Sequence, residues 1–197
     1  MNITIIDYNA GNTQSVVFAL ERLGIKPTLS RDKTTIEQAD KIIFPGVGEA
    51  SSTMQFLKEL GLDQIIPNLK QPVLGICLGM QLLCKQSEEG NIDCLGIIPQ
   101  LVKQFPNNGQ DKVPHMGWNT LTTKSDHPLF RGINPKDYVY YVHSYYAELG
   151  EATIAQTDYI LPFSAALQYN NFYATQFHPE KSGDVGSKIL KNFIELC

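Results

Sequence analysis

The chain has 197 residues, 43% of them hydrophobic and 18% charged, enough apolar material for a real core and a basis for expecting one domain over 1–197. A net charge of −4 leaves no basic footprint for nucleic acid or an anionic membrane, and no apolar run approaches the ~18 residues of a membrane span. The four cysteines show neither C-x-x-C spacing nor a disulfide-dense pattern, which argues against zinc; with an N-terminus, MNITIIDYNAGN, that lacks signal-peptide character, they predict a reducing, cytoplasmic setting.

In chain order, Ile3 to Asp7 is a short β-branched run, and Thr13 to Leu23 carries apolar residues at helical spacing. Ala39 to Phe44 reads as a second strand ending at Pro45-Gly46, Ser52 to Leu60 as a helix, and Pro72 to Ile76 as another buried strand. This alternation predicts a mostly parallel sheet covered on both faces. The second half changes character. Leu95 to Phe105, Trp118 to Leu121, Tyr138 to Ala147, Ala152 to Gln156, Ser164 to Tyr169 and Phe172 to Phe177 all read as strands. Asn170-Asn171 marks a hairpin, and Asp184 to Leu196 closes the chain as an amphipathic helix.

The stretch Gly75-Ile76-Cys77-Leu78-Gly79 places a thiol where a strand turns into a helix. In an open α/β sheet, ligands sit beyond the carboxyl ends of the strands, and a residue on such an elbow is held over that crevice. The helix start directs unpaired N–H groups toward the sulfur, which favours a thiolate, and the N–H of Leu78 is a ready donor to an oxyanion. A lone cysteine near a tight turn is more often core, and Cys84, mid-helix among leucines, has that reading.

A thiolate needs a base, and the base an orienter. Of His115, His127, His143 and His178, only His178, in QFHPEKS, has a carboxylate two residues on. Pro179 holds His178 extended, so that Glu180 can reach the ring and fix its tautomer. His127, in SDHPLF, reads as a loop histidine. The strand KIIFPGVGEA ends in a loop where glycines on both sides of Val47 let its peptide approach a ligand closely and rotate.

The elbow GICLGMQLL, the loop PGVG and the distal QFHPEKS resemble the class I (triad) glutamine amidotransferases, over essentially the whole chain. Within that class, IIDYNAGN, VPHMGWN and YYVHSYYA are similar to the glutaminase subunits of imidazole glycerol phosphate synthases. The resemblance implies a flavodoxin-like three-layer fold with a mostly parallel central sheet and added antiparallel strands. It implies Cys77 as nucleophile, His178 as base and then acid, and Glu180 as orienter, with Val47 and Leu78 offering oxyanion N–H groups. Gly48, Gln81, Ser144 and Tyr145 would bind glutamine, and Asn12, Met116, Trp118 and Lys181 would face a partner. That partner is a separate (β/α)8-barrel cyclase, which would take the ammonia in a heterodimer; no cofactor or metal is implied. Two rival readings are another triad glutaminase, such as that of pyridoxal phosphate synthesis, and a non-catalytic binding module. YNAGN and PHMGWN weigh against the first, and the complete set of elbow, base and orienter against the second.

Overall fold

The computed structural model describes residues 1–8, 13–123 and 126–197, so the expected partner residue Asn12 lies outside the described residues. The alternating half runs β1 (Ile3–Ile6), α1 (Thr13–Arg22), β2 (Thr28–Ser30), α2 (Lys33–Glu37), β3 (Lys41–Gly46), α3 (Ala50–Glu59), α4 (Leu62–Ile65), β4 (Val73–Cys77) and α5 (Leu78–Leu83). The rest is strand-rich: β5 (Cys84–Ser87), β6 (Ile92–Asp93), β7 (Ile98–Gln104), β8 (His115–Thr120), β9 (Thr122–Thr123) and β10 (Tyr138–His143). It ends with β11 (Tyr145–Ala147), β12 (Thr153–Asp158), β13 (Pro162–Tyr169), β14 (Phe172–Thr175) and α6 (Gly183–Leu196).

The main sheet has the order β2-β1-β3-β4-β14-β13-β12-β9. It is parallel from β2 to β14, and antiparallel from β14 to β9. Alternate residues of its strands feed two cores. Ile3, Ile5 and Ile43 pack with Val16 and Leu20 of α1 and Ile189, Leu190 and Phe193 of α6. Ile6, Ile42 and Phe44 pack on the other face with Ile36 of α2, Met54 and Leu57 of α3 and Leu82 of α5. A sheet buried on both faces is what parallel pairing requires, and the result is the expected three-layer α/β arrangement. The hairpin forms at Asn170-Asn171, with Tyr169 paired to Phe172 and Asn170 at φ 53°. No helix among the described residues is long and apolar enough to cross a membrane.

Two departures from the sequence reading bear on the site. The helix after Cys77 lasts only to Leu83, and Cys84, though fully buried, opens β5 rather than sitting mid-helix. All six residues of α5 are buried and all but Gln81 are apolar or glycine, so periodicity could not mark its end; pairing of β5 with β7 decides it. The long strand expected over Tyr138 to Ala147 breaks at Ser144. Its first part pairs with β8 as a separate ribbon, and its second part joins β7 in a four-stranded sheet. That break turns Ser144 and Tyr145 toward the end of β4.

Candidate active site

β4 ends at Cys77 and α5 begins at the next residue. Cys77 itself carries the strain of the turn, with φ 53° and ψ −109°, a conformation that costs a non-glycine residue about 1–3 kcal/mol. The flanking glycines serve close approach. A Cβ on Gly79 would stand 2.0 Å from the Phe44 carbonyl oxygen, and one on Gly75 would stand 2.7 Å from a Leu83 methyl. A side chain at Gly79 would push the helix off its sheet, and the thiol with it, whereas one at Gly75 would have to displace the Leu83 methyl and crowd the Gly79 backbone at 3.1 Å.

Above the elbow lies a cavity of about 340 Å³ lined by Val47, Gly48, Cys77, Leu78, Gln81 and Glu89, with Pro114, Val142, His143, Ser144, Tyr145 and His178 opposite. Val47, Gly48, Leu78, Gln81, Ser144 and Tyr145, distant in sequence, thus share one space with the thiol and the imidazole. Gln81 is buried, and its amide donates to the Tyr145 carbonyl at 2.9 Å and to Gln176 Oε1 at 3.0 Å. Gln176 in turn donates to Cys77 Sγ at 3.8 Å, while the thiol points to the Val142 carbonyl at 3.9 Å.

His178 Nδ1 lies 2.7 Å from Glu180 Oε1, and the two side chains are 1% and 3% exposed. A carboxylate can only accept, so the bond fixes a proton on Nδ1 and leaves Nε2 as the nitrogen not engaged by Glu180. Nε2 is buried and meets no conventional hydrogen-bond partner among the described residues; the group beside it is the Cys77 sulfur. Burial pulls the His178 pKa down, but the Cys77 sulfur on one side and the Glu180 carboxylate on the other outweigh it and raise the value to about 10. His178 is extended, as expected before a proline (φ −97°, ψ 96°), but the chain after it does not stay extended. Pro179 begins a 3₁₀ turn, Pro179–Lys181, a place where its missing N–H costs nothing, and the turn swings Glu180 back under the ring.

The loop after β3 also differs in its logic. Gly48 has φ +116° with open space around it, as a pivot should. Gly46 does not have positive φ. It is the register partner of Cys77, and a Cβ there would meet Gly79 N and the Tyr8 hydroxyl at 2.7 Å and Leu78 Cβ at 2.9 Å. Gly46 is therefore a packing glycine, and freedom begins at Val47. The far end of the loop is pinned by Glu49, which caps α3 through the N–H groups of Ser51 at 3.1 Å and Ser52 at 2.8 Å.

Met116 and Trp118 are 64% and 55% exposed on one face of the β8–β10 ribbon, where Tyr138 also lies open, so Trp118 is not a core residue. Trp118 meets the Tyr140 ring edge-on at 5.8 Å. The Tyr140 backbone bonds both ends of the His178–Ser182 turn, accepting from His178 N at 2.9 Å and donating to Ser182 Oγ at 2.9 Å. Lys181 is exposed on that same turn.

Residues 4–196 match the model of the glutamine amidotransferase class-I family. The chain belongs to that family. Among class-I amidotransferases it is 60% identical over 198 residues to the imidazole glycerol phosphate synthase subunit HisH of Bacteroides fragilis (strain YCH46), covering 100% of both chains. It is 47% identical to the HisH subunit of Vibrio cholerae, over 99% of this chain and 98% of that one. Among solved structures, a glutamine amidotransferase superposes with TM-score 0.76 at 22% identity, covering 98% of this chain and 97% of the other. The PurLQS structure from Thermotoga maritima gives 0.69 at 16%, over 98% and 97%; these two speak to the fold.

Several residues of this amidotransferase site were not found by sequence reasoning. Glu89 faces the cavity from beyond β5, with its pKa raised by burial, while its carboxylate accepts from Ala50 N at 2.8 Å. His115 and His143 are register partners on β8 and β10, 3.0 Å apart between Nδ1 and Nε2. His143 Nδ1 lies 2.8 Å from the Tyr145 carbonyl, so that nitrogen carries the proton, His143 Nε2 accepts, and His115 donates. Burial depresses both, His115 to about 4 and His143 to about 3, so the pair is neutral. Only Gln176 had a local signal, lying two residues before His178 in QFHPEKS.

Proposed function

We propose that this chain hydrolyses glutamine to glutamate and ammonia as the glutaminase subunit of an imidazole glycerol phosphate synthase, in histidine biosynthesis. The observation that carries the reading is the meeting of Cys77 with the buried His178–Glu180 pair at one cavity, on a family-typical fold. His178 Nε2 takes the thiol proton, and the sulfur attacks Cδ of the glutamine amide. The N–H groups of Val47 and Leu78 receive the oxygen as it gains charge. His178 then returns the proton to the departing nitrogen, the C–N bond breaks, and ammonia leaves behind a γ-glutamyl thioester. Water, deprotonated by the same nitrogen, attacks the thioester; glutamate leaves and the thiol is restored. Glu180 stays ionised throughout and stabilises the imidazolium.

The substrate's amino-acid end is assigned to Gln81, Ser144, Tyr145 and Gly48, with Glu89 as a carboxylate facing the ammonium group. We assign residues 1–197 to one domain. The proposed acceptor of ammonia is a (β/α)8-barrel cyclase subunit, and its docking face is the exposed ribbon surface of Met116, Trp118 and Tyr138 with Lys181 beside it; Asn12 belongs to the same proposal. Exposed aromatic and methionine side chains beside a catalytic cavity suit an interface anchor.

The test is glutamate formation by the chain alone and by its complex with the cyclase and the cyclase's nucleotide. Cys77→Ala should abolish glutamine hydrolysis, while the same complex still makes product from added ammonium salts. Loss of ammonia-dependent synthesis in an assembled Cys77→Ala complex would contradict this division of labour.

A further inference from the structure

β1 pairs with β3 only as far as Ile5 and Ile43, whereas on its other edge β3 stays paired with β4 out to Gly46 and Cys77. From Phe44 onward, the β1 edge of β3 has lost its strand. Tyr8, two residues past the end of β1 and 1% exposed, fills that place. Its ring packs on Phe44 with centroids 5.4 Å apart, and its hydroxyl donates to the Pro45 carbonyl. Burial, and then the negative charge of a Cys77 thiolate, push the phenol's pKa well above its ordinary range, so the hydroxyl keeps its proton and remains a donor.

We infer that Tyr8 is a positioning residue for the oxyanion peptide, acting by clamping the Pro45–Gly46 backbone against the elbow. The inference rests on the glutaminase function proposed for the site. Three supports meet at this backbone: the β4 register, the packing of Gly46 against Gly79 and Leu78, and the Tyr8 hydroxyl. Immediately beyond it the chain is loose, since Val47 is exposed and Gly48 sits at φ +116° with nothing within 4 Å of an added Cβ. The boundary between fixed and rotatable backbone falls between Gly46 and Val47. A hinge delivers an N–H to a defined point only if its base is fixed, and Tyr8 is the only side chain among those three supports that contributes a hydrogen bond. The side chain touches no substrate; it sets where the Val47 N–H arrives.

The experiment compares wild type with Tyr8→Phe in the complex with the cyclase and its nucleotide. Phenylalanine keeps the ring against Phe44 and removes only the donor. Loss of one hydrogen bond of ordinary strength should lower kcat for glutamine hydrolysis about three- to tenfold, with KM within about twofold. Alkylation of Cys77 by iodoacetamide, a displacement at saturated carbon that forms no oxyanion, should proceed at the wild-type rate. Replacement of Tyr8 by 4-aminophenylalanine, which keeps a donor at the same place, should restore kcat; it also serves if the Phe variant fails to fold, since a folded donor variant slower than tenfold below wild type overturns the inference. Unchanged kcat in Tyr8→Phe overturns it, as does an equal fall in kcat and alkylation, which would mean that the elbow itself had moved. An inactive wild-type complex would remove the glutaminase function and this inference together, whereas an active wild type with an indifferent Tyr8 removes the inference alone.

Discussion

The pair at the bottom of the site sets a magnitude that can be tested with Glu180→Gln. Oε1 accepts from His178 Nδ1 at 2.7 Å with both side chains buried, and Oε2 has no hydrogen-bond partner among the described residues. At an effective dielectric near 20, charges at that separation attract by about 6 kcal/mol, which bounds what the carboxylate can give the imidazolium of the transition state. The isosteric amide fails in either orientation. With its oxygen toward Nδ1 it keeps the tautomer but loses the charge, and leaves an NH₂ where Oε2 now finds nothing. With its nitrogen toward Nδ1 it drives the ring proton onto Nε2, the nitrogen that must take the thiol's proton. Either way kcat should fall by about 10²–10⁴, the range seen when a triad loses its acid, while KM for glutamine stays within a few-fold. Steady-state glutamate release by the complex measures both. A KM rise as large as the kcat fall would mark Glu180 as a substrate contact and refute the reasoning.

Two further predictions follow from geometry. Gly48→Ala should fold normally and lose kcat about five- to thirtyfold, because its cost is a backbone conformation, about 1–2 kcal/mol, with no clash; Gly46→Ala should instead lower the melting temperature, because its Cβ meets backbone 2.7 Å away. A Gly48 variant that melts lower than the Gly46 variant would reverse these roles. For the His115–His143 pair the sign runs with acid: folded values of about 4 and about 3 lie below the ordinary 6.5, so the unfolded chain binds more protons between them. Stability should therefore fall as pH drops from about 6.5 toward 4, with a slope of up to about 1.4 kcal/mol per pH unit for each ring. Denaturant melts of His143→Gln should show a shallower acid limb than wild type, and an unaltered limb would refute it. His178, raised instead of lowered, contributes stability that is present below 6.5 and lost toward pH 10, so it leaves the acid limb untouched.

The parts legible in the sequence were those that local chemistry dictates. Two glycines around a cysteine between a β-branched run and an apolar helix specify an elbow, because a Cβ at Gly79 would run into the Phe44 carbonyl and one at Gly75 would crowd Leu83 and the Gly79 backbone. His178-Pro179-Glu180 fixes a contact within three residues, so the pair was readable even though the turn was not. The first-half sheet was legible because its strands are buried on both faces and read as continuous apolar runs. What escaped depends on pairing between distant segments. Tyr138 to Ala147 is uniformly suited to a strand, and only its two partners, β8 and β7, decide that it breaks at Ser144. Glu89 and His143 look like any polar residues until the fold brings them to the cavity, with His115 paired behind His143. Gly46 and Gly48 look equivalent in PGVG, yet one is held by neighbours and the other turns in open space.

The β8–β10 ribbon connects the proposed docking face to the site in physical terms. It is one layer thick, so alternate side chains face opposite ways: Met116, Trp118 and Tyr138 outward, His115, Val139, Tyr141 and His143 into the protein. A load on the outer face therefore has two short routes to the chemistry. One runs through Tyr140, against which Trp118 packs, to His178 N and Ser182 Oγ in the turn that carries the base. The other runs from His143 to the Tyr145 carbonyl, shared with Gln81, and through Gln176 to the sulfur. Neither route passes through the Val47–Gly48 hinge, which is anchored separately by Tyr8 and Glu49. In the proposed roles, docking on the ribbon can therefore adjust His178 and the pocket around Gln81, while the Val47 N–H responds to whatever contacts Val47 itself, 37% exposed at the cavity. Under the proposed function, activation needs both, and a partner that covers the ribbon without reaching Val47 would bind tightly and stimulate little.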